Sequence, residues 1–337
     1  MKLLFDHALP FSFAHGGFQI QIEQTKAALE SLGITVEHLR WWDGSQRGDL
    51  IHFFGRPSGQ YVDLAHGKGM RVVISDLLTG AAARSAGALA AQRFAIVVAK
   101  RVLPHSFCAR MNWESFVKAD AVIALTSWEA ELVQRLFRAP ARRVHIVPNG
   151  VAREFLGSSD EQIAREDYLV CTATIAERKR ALELARAAVR AGTPLWIIGR
   201  AYDEGDPYAR RFSAFAREHR DVVRYEGAVE DRQLLAQIYR RARGFVLLSS
   251  MESLSLSALE AAACGCPLLL SDLPWARSAF GENASYCPIA STPRTAKRLR
   301  NFYDRAAQLP RPTRPMSWEE VARKLTSIYE EVRNTSS

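Results

Sequence analysis

Residues 245–270 run Phe245-Val246-Leu247-Leu248-Ser249-Ser250-Met251-Glu252-Ser253-Leu254-Ser255-Leu256-Ser257-Ala258-Leu259-Glu260-Ala261-Ala262-Ala263-Cys264-Gly265-Cys266-Pro267-Leu268-Leu269-Leu270. Phe245 to Leu248 is short and wholly apolar, as in a strand buried on both faces. Ser255 to Ala263 reads as a helix, stopped by Gly265 and Pro267 before a second apolar run, Leu268 to Leu270. Strand, helix, strand in so short a span requires a right-handed crossover and a parallel sheet. In open parallel sheets ligands sit at the carboxyl ends of the strands, so 249–260 is the first place to look for chemistry.

Two carboxylates stand eight residues apart there, Glu252 on the loop and Glu260 about a turn and a half into the helix. Between them, beside Ser253, the backbone N–H groups of Leu254, Ser255 and Leu256 lie at a helix N-terminus, an anion site by construction. A diphosphate on those amides leaves Glu260 to accept bonds from a vicinal diol, such as a ribose, and Glu252 to reach the other end of the ligand. The plain alternative is a capped helix with two surface glutamates.

The same alternation extends outward to both ends of the chain. Upstream, Lys2 to Phe5, Ile34 to Leu39, Leu50 to Phe54, Arg71 to Ile74, Ala121 to Leu125 and Val144 to Val147 read as strands. The Gln19 to Leu32 helix, closed by Gly33, and a capping box at Thr126 and Glu129 fall among them. Pro148-Asn149-Gly150 is a turn. A second series of strands follows: Tyr168 to Cys171, Leu195 to Ile198, Val222 to Tyr225, then the two quoted above. Helices over Arg178 to Arg190, Tyr208 to Glu218 and Asp231 to Arg241 fill its gaps. The expected architecture is α/β, with two Rossmann-like doubly wound domains facing across a cleft. They would span residues 1–155 and 156–315. Beyond the Pro310 to Pro315 break, 316–337 would form a last helix, with Ser317 and Glu320 as its capping box, crossing back to the first domain or extending the second.

The 337 residues suit two domains, and 48% hydrophobic with 24% charged residues excludes a disordered chain. Asp6 and His7 cut short the apolar start, so no signal peptide is expected, and no run approaches the roughly 20 apolar residues of a membrane span. Five cysteines without a framework spacing point to a reduced, cytoplasmic setting. The net charge of +9 is spread as +5 over residues 1–155 and +4 over the rest, so it is not a tail. It admits nucleic acid, anionic lipid or phosphorylated substrates as partners without choosing among them.

Other segments carry weaker signals. Ile175-Ala176-Glu177-Arg178-Lys179-Arg180 places three cations at a strand–helix junction, where Lys179 and Arg178 could neutralise a departing phosphate; a solvated basic run is the alternative. Ala14-His15-Gly16-Gly17 follows the first strand, and Gly16 and Gly17 let a ligand approach the backbone. Arg84 to Leu103 is Ala-rich and apolar with basic ends, either a buried helix or one lying on an anionic membrane. Trp41-Trp42 reads as packing, with acceptor stacking as the alternative. Cys264 and Cys266 read as core, and no second pair would complete a metal site.

These residues carry a resemblance. Val147-Pro148-Asn149-Gly150, the Glu252…Glu260 pair and its sequel Ala261-Ala262-Ala263-Cys264-Gly265-Cys266-Pro267 resemble the retaining family 4 glycosyltransferases of the GT-B fold. Arg178-Lys179 before an amphipathic helix, Ile198-Gly199, Tyr225-Glu226-Gly227 and the closing Ser317-Trp318-Glu319 are similar to that family too. The likeness covers most of the second domain and, more faintly, the first.

The resemblance implies a UDP- or GDP-sugar as co-substrate, with no metal or other cofactor, and no Asp-x-Asp pair is placed to bind a metal. Glu260 would bind the ribose hydroxyls and Glu252 the transferred sugar. The diphosphate would lie on Lys179 and the amides of residues 254–256, with Gly227-Ala228-Val229 against the base. Gly16-Gly17 would close over the phosphates or the acceptor. Thr174 stands where many relatives have an Arg, leaving Arg178 to take over its charge. Val73-Ile74-Ser75-Asp76 stands where many have a His, making Asp76 the acceptor-side candidate and His105 a second. The implied reaction moves a hexose to a glycan, a lipid-linked glycan or a small acceptor, with peripheral contact to the inner face of an anionic membrane as a further expectation and no nucleic acid as partner. A nucleotide-sugar epimerase on the same fold and a non-catalytic nucleotide- or nucleic-acid-binding protein are the alternatives.

Overall fold

The computed structural model describes residues 1–8, 11, 16–82, 84, 86–157 and 164–335. The chain divides into two compact units: Met1–Asn149 with Trp318–Ser337, and Gly150–Ser317.

Unit 1 is built on strands β1 (Lys2–His7), β2 (Thr35–His38), β3 (Leu50–Phe54), β4 (Arg71–Ser75), β5 (Ala121–Ala124) and β6 (Val144–Ile146). They form one sheet in the order β2-β1-β3-β4-β5-β6, with every pair parallel. β3 is buried along its whole length, as its unbroken Leu50-Ile51-His52-Phe53-Phe54 run requires once helices cover both faces. The exception in that run, His52, sits between the hydroxyls of Ser75 and Tyr329, each 2.7 Å from a ring nitrogen. Tyr329 belongs to the Trp318–Asn334 helix, which packs on the Gly17–Ser31 helix and β4. Trp318, Val321, Leu325 and Tyr329 supply its buried face.

Unit 2 carries β7 (Glu166–Thr172), β8 (Leu195–Ile198), β9 (Val223–Tyr225), β10 (Ala242–Leu247), β11 (Leu268–Ser271) and β12 (Ser285–Cys287). Their order is β12-β11-β10-β7-β8-β9, again all parallel. The order reverses between β7 and β10, so the loops leaving those two strands diverge at the crevice where open α/β sheets bind ligands. Those loops carry residues 173–180 and 248–255. Among the described residues, the longer helices with no counterpart in the sequence reading are Gly59–Gly67, Pro274–Phe280 and Thr292–Arg305, and the short Thr79–Ala82, His105–Arg110 and Ser115–Lys118 helices have none either. β12 is also new; three residues on a sheet edge leave too short a pattern to detect.

Candidate functional site

The loop after β10 turns its acidic residue inward. Glu252 is buried, and its Oε1 is hydrogen-bonded to Lys179 Nζ, with Arg178 Nη1 at 3.9 Å. Both cations come from the 3₁₀ turn Glu177–Lys179 after β7. Arg180 follows with φ 57°, an uncommon conformation for a residue with a Cβ, and breaks that turn sharply into the Ala181–Ala191 helix. Ser250 locks the two loops together, its N–H and hydroxyl both donating to the Arg178 carbonyl at 2.8 and 3.1 Å. The structure therefore brings Arg178, Lys179, Glu252 and Ser253 into one place.

The Leu256–Ala263 helix begins where the Ser255 hydroxyl accepts from the Ala258 N–H at 3.3 Å. Leu256 and Ser257 occupy its first two positions, whose N–H groups have no acceptor within the helix. The buried hydroxyls of Ser249 and Ser253 have no hydrogen-bond partner, and a buried polar atom left alone costs about 1–3 kcal/mol. The Leu254 side chain is core, so only its backbone can serve a ligand.

One further turn along, Glu260 is 8% exposed and receives Arg232 Nη2 at 3.0 Å. Burial pushes its carboxyl up from 4.5 to about 7, against the opposing pull of Arg232. Arg232 lies over the Phe155 ring, 5.1 Å from its centre, and its buried Nε has no partner. The Tyr239 hydroxyl is buried beside Thr172 and Glu260 without closing a hydrogen bond of good geometry. Nothing in the local sequence announced Arg232, Phe155 or Tyr239. Asp231 caps the helix that carries Arg232 and Tyr239, and that cap is the only nearby signal.

The Gly227 loop is tied to the same crevice edge. Gly199 N–H donates to the Gly227 carbonyl at 2.9 Å, and Ile175 N–H donates to the Arg200 carbonyl at 3.1 Å. Gly199 has φ +147°, and a Cβ there would stand 1.9 Å from the Ala173 carbonyl oxygen. Gly227 itself has φ +87° and open space around it, and Val229 is half-buried beyond it.

In unit 1, Gly16 (φ 139°) opens the Gly17–Ser31 helix, and Gly17 is exposed. His15 lies outside the described residues, as does the side chain of His105. Asp76 follows β4 and is a paired carboxylate: Arg56 donates to its Oδ2 from Nε at 2.9 Å and Nη2 at 2.7 Å. That guanidinium lies over Phe137 and Phe116. Asp6, at the end of β1, accepts from the Tyr61 hydroxyl at 2.7 Å. Trp41 and Trp42 do not pack: they are 80% and 83% exposed, on a loop tied by Arg40, Asp43 and Gln46. Polar ties within the loop satisfy its backbone and leave the indoles outside. Among the described residues no group of three or more His, Cys, Asp and Glu could hold a metal ion.

Residues 166–305, most of unit 2, match the family described as Glycosyl transferases group 1. A D-inositol 3-phosphate glycosyltransferase of Actinosynnema mirum is 31% identical over 179 residues, 45% of this chain and 41% of the relative. The O-antigen chain mannosyltransferase B of Escherichia coli is 27% identical over 175 residues, 48% of this chain and 45% of that protein. The chain thus spans less than half the length of these curated relatives. Among solved structures, a sucrose-phosphate synthase from Thermosynechococcus elongatus superposes with a TM-score of 0.71 at 18% identity, covering 100% of both chains. Anabaena HepE in complex with UDP and glucose gives 0.62 at 15%, covering 98% of this chain and 100% of that one. The fold is that of the GT-B glycosyltransferases, α/β with two parallel six-stranded sheets.

Proposed function

We propose that this chain is a retaining glycosyltransferase that moves a hexose from a nucleotide-diphosphate sugar to a glycan, a lipid-linked glycan or a small hydroxylic acceptor. The observation that carries the reading is the ion pair of buried Glu252 with Lys179, beside the orphaned hydroxyl of Ser253, at the strand-order reversal of unit 2. The family match over 166–305 and the UDP complex of a protein of the same fold support it.

A UDP- or GDP-sugar fits these residues by charge and hydrogen bonding. The diphosphate takes the cations of Lys179 and Arg178 and the first-turn amides of the Leu256–Ala263 helix. The base lies against Gly227 and Val229, and the ribose diol donates to Glu260. Glu252, oriented by Lys179, accepts from hydroxyls of the transferred sugar. Gly16-Gly17 is assigned to the donor phosphates or the acceptor, and Asp76 to the acceptor side.

As the bond from sugar C1 to the phosphate oxygen breaks, negative charge grows on the diphosphate, where Lys179 and Arg178 stabilise it in place. The acceptor oxygen forms the new bond to C1 on the same face. Its proton passes to the departing phosphate oxygen, so no enzyme carboxylate need attack and the configuration is kept. The protein's contribution is position and charge.

Calorimetry of the full chain with UDP and GDP tests the donor site, and binding to neither would remove it. Lys179→Ala should cut turnover by about a hundredfold or more while changing donor affinity less than about tenfold. Glu260→Ala should weaken nucleotide binding. Release of an altered nucleotide sugar without any acceptor would point instead to an epimerase.

A further inference from the structure

Three of the buried side-chain atoms in unit 2 that lack a hydrogen-bond partner gather around one carboxylate, Glu260. They are Nε of Arg232, the hydroxyl of Tyr239 and the hydroxyl of Thr172. Native interiors pair nearly all such atoms, so their convergence on one acid points to a shared task. Thr172 ends β7 at the strand-order reversal, and Tyr239 sits on the Arg232–Arg241 helix that leads into β10. The Tyr239 ring packs on Phe155 and Phe245, with centres 6.0 and 5.9 Å apart, and Phe155 also carries the Arg232 guanidinium. At 0% exposure Tyr239 is out of reach of any nucleotide, so whatever it does there passes through Glu260.

The hydroxyls run in one direction. Thr172 can donate to the Tyr239 oxygen, and Tyr239 can then donate to Glu260, which as a carboxylate only accepts. A vicinal diol donates twice and needs both carboxylate oxygens free of a proton. The groups facing Glu260 are Arg232 and Tyr239 on their helix, Glu154 on the Arg153–Phe155 turn and Cys264 on its own helix. Cys264 gives its thiol to the Phe155 carbonyl. Burial and Glu154 work against the charge, which leaves Arg232 and Tyr239 to hold it.

We infer that Tyr239, backed by Thr172, is a positioning residue for the nucleoside: its hydroxyl turns onto Glu260 when that side chain ionises and keeps it the charged acceptor that a ribose diol requires. The inference rests on the proposed donor site and adds to it a residue that never meets the donor.

Two measurements on the full chain test it. By carboxyl-carbon NMR, the Glu260 titration should move up by about one pH unit in Tyr239→Phe and by less in Thr172→Val. By calorimetry, Tyr239→Phe should bind UDP or GDP about fivefold more weakly near pH 7, where fewer Glu260 side chains are then ionised. Most of that loss should return by about pH 9. A 2′,3′-dideoxynucleoside diphosphate, which has no diol, should not tell the two proteins apart. Melting temperature should hold, because the hydroxyl removed has no partner to lose. An unmoved Glu260 titration would overturn the inference, as would an affinity loss equal at every pH, the mark of a damaged pocket. If wild type binds neither UDP nor GDP, the donor site fails and the inference with it. If wild type binds and the variant's pH profile does not move, the donor site stands and the role of Tyr239 falls.

Discussion

At Glu260 two effects compete. Burial disfavours the carboxylate, Arg232 favours it, and burial wins, leaving the group to titrate at about 7 instead of 4.5. An acid whose folded value lies above its unfolded one lends stability in full below about 4.5. That contribution fades as pH rises towards 7, because the unfolded chain ionises first. The loss amounts to roughly 3 kcal/mol, and urea denaturation across that pH range should show it in wild type and not in Glu260→Gln. Arg232→Ala removes the opposing cation and should move the titration higher still. If Glu260 accepts from a ribose diol, nucleotide binding should run the other way and strengthen as Glu260 ionises. Calorimetry above and below neutrality separates the two slopes. The same burial explains why the site was only half legible in sequence. The Glu252…Glu260 spacing marked the acids and the basic run marked Lys179, but the pairing of Glu260 with Arg232 joins residues 28 apart through packing alone.

Among elements, the turn after β8 holds the crevice loops at their separation. Gly199→Ala would drive a methyl into the Ala173 carbonyl, a backbone atom that cannot swing aside. We expect a loss of about 3 kcal/mol or more, read as a lower midpoint in thermal unfolding, together with weaker nucleotide binding as the bonds to Gly227 and Arg200 shift. Alternation of apolar runs and helical periods made the strands readable: Leu50–Phe54 and Leu195–Ile198 lie where the pattern puts them, and the Thr126 cap is formed as the sequence implied, while Ser255, read as the first residue of its helix, is the cap before it. Elements whose pattern is short or polar escaped. Thr292–Arg305 carries its apolar residues sparsely among five basic ones, and Ser285–Cys287 has too few residues to show a period. Trp41 and Trp42 misled because hydrophobicity suggests burial, whereas the loop's polar ties decide it.

On the scale of whole units, His52 couples the last helix to the first sheet through Tyr329 and Ser75. Burial lowers its imidazole from 6.5 to about 3. The folded unit therefore keeps it neutral, and the stability this lends is present above about 6.5. It is lost as pH falls towards 3, because only the unfolded chain can take the proton. The cumulative loss is on the order of 4 kcal/mol. Acid denaturation should accordingly loosen unit 1, and His52→Gln, which can still bridge the two hydroxyls, should flatten that dependence; an unchanged acid profile would remove His52 as its cause. The return of Trp318–Asn334 to unit 1 also sets an order on the ribosome. When residue 149 has been translated, the first sheet can assemble, but the helix that shields one of its layers has yet to be made. Every residue of the second unit emerges in between, so the later-encoded unit is free to mature while the earlier one waits, its apolar layer open to chaperones.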